Sequence, residues 1–245
     1  MPENIVIIPT YNELGNIEKM VRKVMSLPVA FDVLIIDDGS PDGTAQKVIA
    51  LQTEFPNRLH LIERKGKMGL GTAYIAGFGF ALEREYQLIY EMDCDFSHNP
   101  DDLLRLRDTC LQGADMAVGS RYVKGGGFVN WPTDRILISR GASIYVNCIT
   151  RINIADPTAG FVCYKRDVLL EMDLQQIRFV GYAFQIEMKF AVKKLGFRIQ
   201  EIPIIFTERV EGVSKMNRNI LREGIFGVLK IQWNYRSGFY QKKTV

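Results

Sequence analysis

The order of strand and helix signals constrains the fold of this chain more than any other feature. Short apolar runs at 5–8, 33–36, 59–62, 87–92 and 114–118 predict five strands. Segments of helical spacing between them predict helices over 15–25, 44–53, 72–85 and 100–112. This β-α-β-α order is typical of a mainly parallel sheet with helices on both faces. We therefore expect an α/β, Rossmann-like fold.

The second half of the chain has a different pattern. The glycines at 125–127 predict a flexible break, and helices are expected over 135–152, 183–195 and 219–235. Strands are expected over 161–165 and 198–206, the latter at a sheet edge because it contains Pro203. We divide the chain into a domain over 1–216 and a C-terminal amphipathic helix over 217–245, packed on that domain or on a membrane surface.

Composition narrows the functional class. A length of 245 residues with 47% hydrophobic residues fits one ordinary globular core, and a net charge of +3 is too small to indicate a nucleic-acid partner. The four cysteines are widely spaced and form no C-x-x-C pair, which argues against a zinc site and favours reduced thiols over a disulfide framework. No signal peptide and no transmembrane run is evident, so we expect a cytoplasmic protein with at most peripheral membrane contact.

An apolar run, 88–92, ends in two carboxylates, Asp93 and Asp95. Side chains two residues apart on an extended backbone point to the same side, so both can converge on one point at a strand's carboxyl end. Two hard oxygen ligands suit Mg²⁺ or Mn²⁺, which take further ligands from water and phosphate. The pair predicts a metal that carries a phosphorylated substrate; the alternative is a polar turn after a strand.

Two further polar clusters, 9–13 and 37–44, also follow predicted strands. The carboxyl ends of parallel strands share one edge, so we expect these clusters to converge with Asp93 and Asp95. Acidic side chains there can accept hydrogen bonds from ribose hydroxyls and base edges. Taken singly, 37–44 also fits a plain turn with helix capping.

A basic run, 64–67, precedes the glycines Gly69 and Gly71. Glycines before a helix allow the backbone to approach a ligand closely, and the basic run indicates an anionic one. The segment is not a dinucleotide-binding fingerprint, because Tyr74 stands where the third glycine is needed. A solvated basic loop is the alternative.

Taken together, these motifs resemble family 2 glycosyltransferases of the GT-A fold, and within them the dolichyl- and polyprenyl-phosphate mannosyltransferases. The segments that carry the resemblance are PTYNE (9–13), DDGSPDGT (37–44), GLGTA (69–73), DCDFSH (93–98), GSRY (119–122), DPTAGF (156–161), GYAFQIE (181–187) and RVEGVSKM (209–216). The likeness covers residues 4–216, and it implies inverting transfer of mannose from GDP-mannose to polyprenyl (dolichyl) phosphate.

The resemblance also implies roles for single residues. It places Pro9, Tyr11, Glu13, Asp37 and Asp38 around the guanosine, with Arg209 and Lys215 also serving the donor. Asp93 and Asp95 would bind Mg²⁺ or Mn²⁺ at the catalytic centre. Ser97 stands where some relatives have a glutamine ligand and would be a weaker third ligand, directly or through water, which leaves the coordination set open. Arg121, Arg135 and Ser139 would bind the acceptor phosphate, and both arginines would act in catalysis.

The acceptor's lipid tail requires an apolar surface. Apolar side chains alternate with arginines over 135–152, and a similar apolar character marks 220–235. Such helices suit contact with anionic lipid at the cytoplasmic face of a membrane, or with a membrane-anchoring subunit. Packing against the core is the alternative for the first of them.

Three other functions are compatible with parts of the sequence. Asp93-x-Asp95-x-Ser97 also resembles the nucleophile motif of haloacid-dehalogenase-type phosphatases, but that motif lies on the first strand of its family, whereas three strands precede it here. A catalytically inactive adaptor subunit would have no need of the carboxylates and arginines. Another donor, such as UDP-glucose, is open, because the sequence discriminates sugar nucleotides poorly.

Overall fold

A seven-stranded sheet is the centre of the computed structural model, which describes residues 3–181, 183–208, 218–236 and 240. The strands are β1 Asn4–Thr10, β2 Asp32–Asp37, β3 Leu59–Glu63, β4 Leu88–Glu91, β5 Met116–Ser120, β6 Gly127–Val129, β7 Val162–Lys165, β8 Ile199–Pro203 and β9 Ile205–Thr207. The sheet order is β3-β2-β1-β4-β7-β5-β8, while β6 and β9 form a separate parallel pair. Only β7 runs antiparallel to its neighbours in the seven-stranded sheet.

Eight α-helices lie in the described part of the chain. They are α1 Leu14–Met25, α2 Thr44–Gln52, α3 Leu70–Glu83, α4 Asp102–Leu111, α5 Thr133–Thr150, α6 Arg166–Glu171, α7 Ala183–Lys194 and α8 Arg218–Arg236. None of the described helices has the length and hydropathy that crossing a membrane requires.

Alternation along the strands gives the sheet two apolar faces. Ile5 and Ile7 pack into one core with α3, α7 and α8, whereas Val6 and Ile8 pack into a second core with α1, α2 and α4. Both cores are buried because helices cover each face, as the predicted mainly parallel α/β sheet requires. This part of the prediction is confirmed.

A glycine inside α3 explains how that helix approaches the sheet. A Cβ atom on Gly77 would come within 2.7 Å of the Ile7 side chain, so only glycine lets α3 pack this closely on β1. The close approach places the first turn of α3 beside the carboxyl ends of β1 and β4. The two short elements β6 and α6 were not predicted.

Two expectations for the second half were wrong. The glycines at 125–127 form a tight turn into β6, because a Cβ atom on Gly126 would lie 2.6 Å from the Ser120 carbonyl oxygen. The single strand expected over 198–206 is two strands, β8 and β9, separated at Ile204. The N–H of Ile204 donates to the Ser120 carbonyl, which turns the chain toward β6. As expected of a strand with Pro203, β8 is an edge strand.

Candidate active site

A cavity of about 360 Å³ opens at the carboxyl ends of β1, β2 and β4. Its lining is drawn from all three polar clusters and from the segment before α3: Pro9, Thr10, Tyr11, Glu13, Asp38, Lys67, Gly69, Leu70, Asp93, Cys94 and Asp95. The convergence follows from topology, because parallel strands deliver their following loops to one edge. We call this cavity the donor pocket, after the donor that the resemblance of the motifs leads us to expect there.

The two neighbouring aspartates of the 37–44 segment have different surroundings. Asp37 is buried, and its carboxylate accepts from the Thr10 hydroxyl at 2.9 Å and from the Ser40 N–H at 2.8 Å. Asp38 instead lines the donor pocket. Asp37 therefore fixes the turn after β2, while Asp38 is the one of the two that reaches the pocket.

The same segment also braces the loop after β1. Asp42 accepts from the Leu14 N–H at 3.1 Å and from the Thr44 hydroxyl at 2.6 Å, and the Thr44 hydroxyl accepts from the Glu13 N–H at 3.0 Å. Much of the 37–44 segment thus serves turn and helix geometry, the alternative that the sequence left open. Its contribution to the pocket lining is Asp38.

The basic run 64–67 lies beside the pocket. One of its members is paired with a carboxylate, whereas another lines the pocket. Arg64 forms a largely buried ion pair with Asp38, its Nε lying 2.6 Å from Oδ1, and its Nη1 donates to the Thr72 hydroxyl at 2.7 Å. Lys67 lines the pocket, with Nζ 3.6 Å from the centroid of the Tyr11 ring. Lys67 was not among the predicted donor residues, although the basic run was the signal that pointed to it.

The glycines of the 69–73 segment form one wall of the pocket. Gly69 adopts a φ of +96°, and a Cβ atom there would lie 2.8 Å from the Val180 carbonyl oxygen. A Cβ atom on Gly71 would lie 2.6 Å from the Phe179 carbonyl oxygen. These two glycines are needed for packing against residues 179 and 180, which lets Leu70 reach the pocket between them.

Asp93 and Asp95 both line the donor pocket directly after β4. Oδ1 of Asp95 accepts from the Ser97 N–H at 3.1 Å, and the buried Ser97 hydroxyl has no hydrogen-bond partner among the described residues. No cluster of three or more His, Cys, Asp or Glu side chains able to hold a metal occurs in the described ranges. Two carboxylates and a nearby hydroxyl without a partner still fit a hard divalent ion that completes its shell with water and phosphate.

A buried polar network lies below these carboxylates, and the sequence reasoning missed it. Glu91 on β4 accepts from the Tyr164 hydroxyl at 3.0 Å and from the Gln185 amide. Lys189 donates to the Ala159 carbonyl at 2.6 Å and to the Gln185 side chain at 3.1 Å. Burial raises the pKa of Glu91 and lowers the pKa of Lys189. A charged residue inside the apolar run 88–92 was the available signal.

An aromatic cluster connects the Asp93 loop to Arg121. The neutral ring of His98, whose pKa burial lowers, stacks on Phe161 at 4.9 Å and meets Phe206 edge-on at 5.5 Å. The Arg121 guanidinium lies 5.4 Å from the same Phe206 ring and 5.8 Å from the Trp131 ring. The predicted acceptor arginine is therefore one aromatic layer away from the donor side.

Arg121 is held by a buried carboxylate. Its Nε and Nη2 donate to the two oxygens of Asp156 at 2.6 and 2.7 Å, and Nη2 also donates to the Thr158 hydroxyl at 2.8 Å. Burial opposes ionisation of Asp156, but the hydrogen bonds and charge of Arg121 outweigh it and lower the pKa of Asp156 below its usual range. This bidentate pair anchors the guanidinium on the 156–158 turn.

Arg135 and Ser139, the other predicted acceptor residues, lie on α5. Arg135 pairs with Glu208 at 3.0 Å, and both side chains remain about one-third exposed (29% and 33%). The Ser139 hydroxyl is buried and has no hydrogen-bond partner within the described part of the chain. Arg209 and Lys215, predicted to serve the donor, lie outside the described residues.

The chain is similar in sequence to a known family and to several of its members. Residues 5–172 match the model of glycosyl transferase family 2. The chain is 44% identical over 95% of its length to polyprenol monophosphomannose synthase of Mycolicibacterium smegmatis, of which it covers 87%. It is 43% identical over 92% of its length to undecaprenyl-phosphate mannosyltransferase of Micrococcus luteus, of which it covers 92%.

A solved structure is similar in fold. It is the mannosyltransferase PcManGT from Pyrobaculum calidifontis in complex with GDP-Man and Mn²⁺, with a TM-score of 0.61 and 16% sequence identity. The likeness spans 99% of this chain and 66% of that one. At this sequence identity the likeness shows the fold alone.

Proposed function

The chain belongs to glycosyl transferase family 2, and we propose that it transfers mannose from GDP-mannose to polyprenyl phosphate. It is a glycosyltransferase, and both the family and the GT-A fold predicted from its motifs are confirmed. The observation that carries the choice of substrates is the near full-length similarity to two relatives named for mannose and a polyprenyl phosphate. The donor pocket supplies a site of matching chemistry.

In this proposal the nucleoside of the donor lies between the first two strand ends. Pro9, Tyr11, Glu13 and Asp38 line that part of the pocket, and carboxylates accept from ribose hydroxyls and base N–H groups. Asp37 contributes indirectly, because its carboxylate holds the turn that carries Asp38. Lys67 supplies positive charge near the diphosphate.

Asp93 and Asp95 are the residues that would hold a divalent ion, with Ser97 next to them. When bound, Mg²⁺ or Mn²⁺ would offset the charge that develops on the departing diphosphate. The carboxylates hold that position at the pocket wall, and the Ser97 N–H fixes the orientation of Asp95. Arg209 and Lys215 remain proposed contacts of the donor on the strength of the motif.

The acceptor needs little activation by the protein. A phosphate monoester has a second pKa of about 6, so at neutral pH its oxygen is already a nucleophile. That oxygen forms the new bond to the anomeric carbon while the bond to the diphosphate breaks, and GDP leaves with the electron pair. Arg121, Arg135 and Ser139 then serve to hold a second anion close to the first.

The lipid tail of the acceptor suggests where the protein meets a membrane. Leu137 and Ile144 on α5 are 67% and 60% exposed, and Phe226 on α8 is 67% exposed. Arg140 and Lys230, also exposed, flank them with positive charge. We place this face on the cytoplasmic leaflet as a peripheral contact; a membrane-anchoring subunit would be the competing occupant.

Transfer of radiolabelled sugar to polyprenyl phosphate tests the proposal. GDP-mannose, UDP-glucose and UDP-N-acetylglucosamine are compared, each with Mn²⁺, Mg²⁺ or EDTA. Chelator-sensitive lipid product from GDP-mannose alone is expected. Product from a UDP-sugar alone would move the specificity to another donor, and no lipid product from any donor would overturn the assignment of the acceptor.

A further inference from the structure

The segment 178–180, which lies outside the pocket lining, supports the glycine wall of the donor pocket from behind. The Val180 carbonyl accepts from the Gly71 N–H at 2.8 Å. The carbonyl oxygens of Phe179 and Val180 lie so close to Gly71 and Gly69 that no Cβ atom fits there. Any displacement of the 178–180 segment therefore moves the wall formed by Gly69 and Leu70.

One buried carboxylate fixes that segment. Glu187 on α7 has no exposed surface, and its Oε2 accepts from the N–H groups of Arg178 and Phe179, each at 2.9 Å. Its Oε1 accepts from the Tyr240 hydroxyl at 2.7 Å. Because a buried carboxylate is costly without donors, these three hydrogen bonds hold Glu187 and its partners in one arrangement.

The C-terminal part of the chain reaches the same segment from two directions. The Tyr240 N–H donates to the Gln176 side chain at 3.2 Å, just before the segment. In α8, a Cβ atom on Gly227 would lie 3.1 Å from the Phe179 ring and 3.0 Å from Ala183. Phe179 is thus confined between the glycine wall on one side and α8 on the other.

We propose that Glu187 is a positioning residue for the donor: it holds the 178–180 segment against Gly69 and Gly71 and so links Tyr240 and α8 to the shape of the donor pocket. This inference rests on the proposed function, because it assumes that a sugar nucleotide occupies that pocket. It assigns to the carboxylate in the 181–187 motif a task at a distance from the reacting atoms. Because α8 packs on Phe179, a contact on the exposed face of α8 would alter donor affinity through the 178–180 segment.

A purely structural carboxylate would make a different prediction. It would lower the melting temperature when altered and leave donor affinity, corrected for the folded fraction, unchanged. Tyr86 offers the matched control, because its hydroxyl donates to the Asp32 carboxylate at the same 2.7 Å but at the opposite end of β2. Tyr240→Phe and Tyr86→Phe therefore remove equivalent hydrogen bonds at different distances from the pocket.

The experiment uses the full chain and two readouts. Calorimetric titration with GDP-mannose and Mn²⁺ gives the donor Kd, and hydrogen exchange follows peptides covering 69–73 and 177–181 without any ligand. For Tyr240→Phe we expect donor Kd to rise about threefold to tenfold, the acceptor KM to stay unchanged, and exchange at both peptides to quicken. Tyr86→Phe is expected to alter neither readout at these positions.

A second pair of variants keeps the test decisive if Tyr240→Phe folds poorly. Gly227→Ala pushes on Phe179 from α8, whereas Gly79→Ala in α3 meets nothing within 4 Å. The first is expected to raise donor Kd and the second is not. Unchanged exchange at 69–73 in both Tyr240→Phe and Gly227→Ala overturns the inference. Failure of the wild-type protein to bind GDP-mannose overturns the proposed donor instead, since exchange is measured without ligand.

Discussion

The proposed donor side and the proposed acceptor side of this site are built in different ways. On the donor side, carboxylates that line one cavity come from loops at neighbouring strand ends, and their positions follow from the parallel sheet. On the acceptor side, Arg121 and Arg135 are paired with carboxylates 35 and 73 residues away in the sequence. On the donor side the carboxylates surround a cavity, and one of them, Asp38, is paired with Arg64. On the acceptor side both arginines are paired with carboxylates.

That difference matters for how a second anion enters. The Arg135–Glu208 pair, about one-third exposed, is screened by water, so a phosphate can replace Glu208 at small cost. The Arg121–Asp156 pair is buried and bidentate, and separating it would leave a charge without a partner. We infer that Arg135 exchanges partners on acceptor binding and that Arg121 keeps Asp156.

The largest effect is expected on the donor side. Asp95→Asn retains an oxygen to accept from the Ser97 N–H but removes the negative charge from the pocket wall. We expect kcat/KM to fall about 10³-fold, measured as sugar transfer with saturating Mn²⁺. Asp108→Asn, on the exposed carboxylate of α4, is the control and should retain wild-type activity. A loss below tenfold for Asp95→Asn would contradict a role for this carboxylate in the reaction.

The second prediction concerns the buried acceptor-side pair. Asp156→Asn leaves the Arg121 guanidinium without its counter-charge, so the free energy of unfolding at pH 7 should fall by about 3–5 kcal/mol. Asp101→Asn, which removes the exposed partner of Lys23, should cost about 1 kcal/mol or less. Urea unfolding measures both, and equal losses would refute the distinction between buried and exposed pairs.

The same pair has a pH signature. The pKa of Asp156 is lowered from its usual value of 3.8, so its contribution to stability is complete above that pH and is lost as the pH falls below it. The difference in stability between the wild-type protein and Asp156→Asn should therefore narrow as the pH falls below 3.8. A difference that is constant with pH would show that Asp156 titrates normally.

The third prediction separates the two arginines. Arg135→Gln should raise the KM for polyprenyl phosphate about 10- to 100-fold, because it removes a charged hydrogen bond to the acceptor, while stability changes by less than about 1 kcal/mol. Arg22→Gln, which breaks exposed pairs with Glu18 and Glu54, should leave the acceptor KM unchanged and alter stability only slightly. An unchanged acceptor KM in Arg135→Gln would leave Glu208 as the permanent partner of Arg135.

The sequence predicted the donor side better than the acceptor side, for physical reasons. Strand ends converge wherever a parallel sheet forms, so the pocket at 9–13, 38 and 93–95 follows from hydrophobic periodicity together with the polar residues after each strand. Which of two adjacent aspartates lines the pocket depends on tertiary contacts. The Asp37 carboxylate is buried and accepts hydrogen bonds from Thr10 and Ser40. No local pattern contains that choice.

Pairings over long sequence separations were beyond reach for the same reason. No residue near Arg121 in the sequence indicates that Asp156 pairs with it. Likewise, no residue near Glu91 indicates that Gln185 donates a hydrogen bond to it. For the glycines at 125–127, composition predicts flexibility. The structure instead requires glycine at Gly126, because the backbone there passes too close to the Ser120 carbonyl for a Cβ atom. Local signals give element types, and tertiary contacts decide which charges are available.

The smallest expected effect tests whether the acceptor side also includes a membrane contact. Leu137 on α5 and Leu111 on α4 are 67% and 54% exposed, so Leu137→Ser and Leu111→Ser are chemically matched substitutions on different faces. Partial burial of one leucine in lipid is worth roughly 1 kcal/mol, so Leu137→Ser should weaken binding to phosphatidylglycerol-containing vesicles about threefold to tenfold. Co-sedimentation measures this, and Leu111→Ser should bind as the wild-type protein does. Equal binding by both variants would remove α5 from the membrane contact and favour a protein partner on that face, which would make the acceptor side depend on a second subunit where the donor side does not.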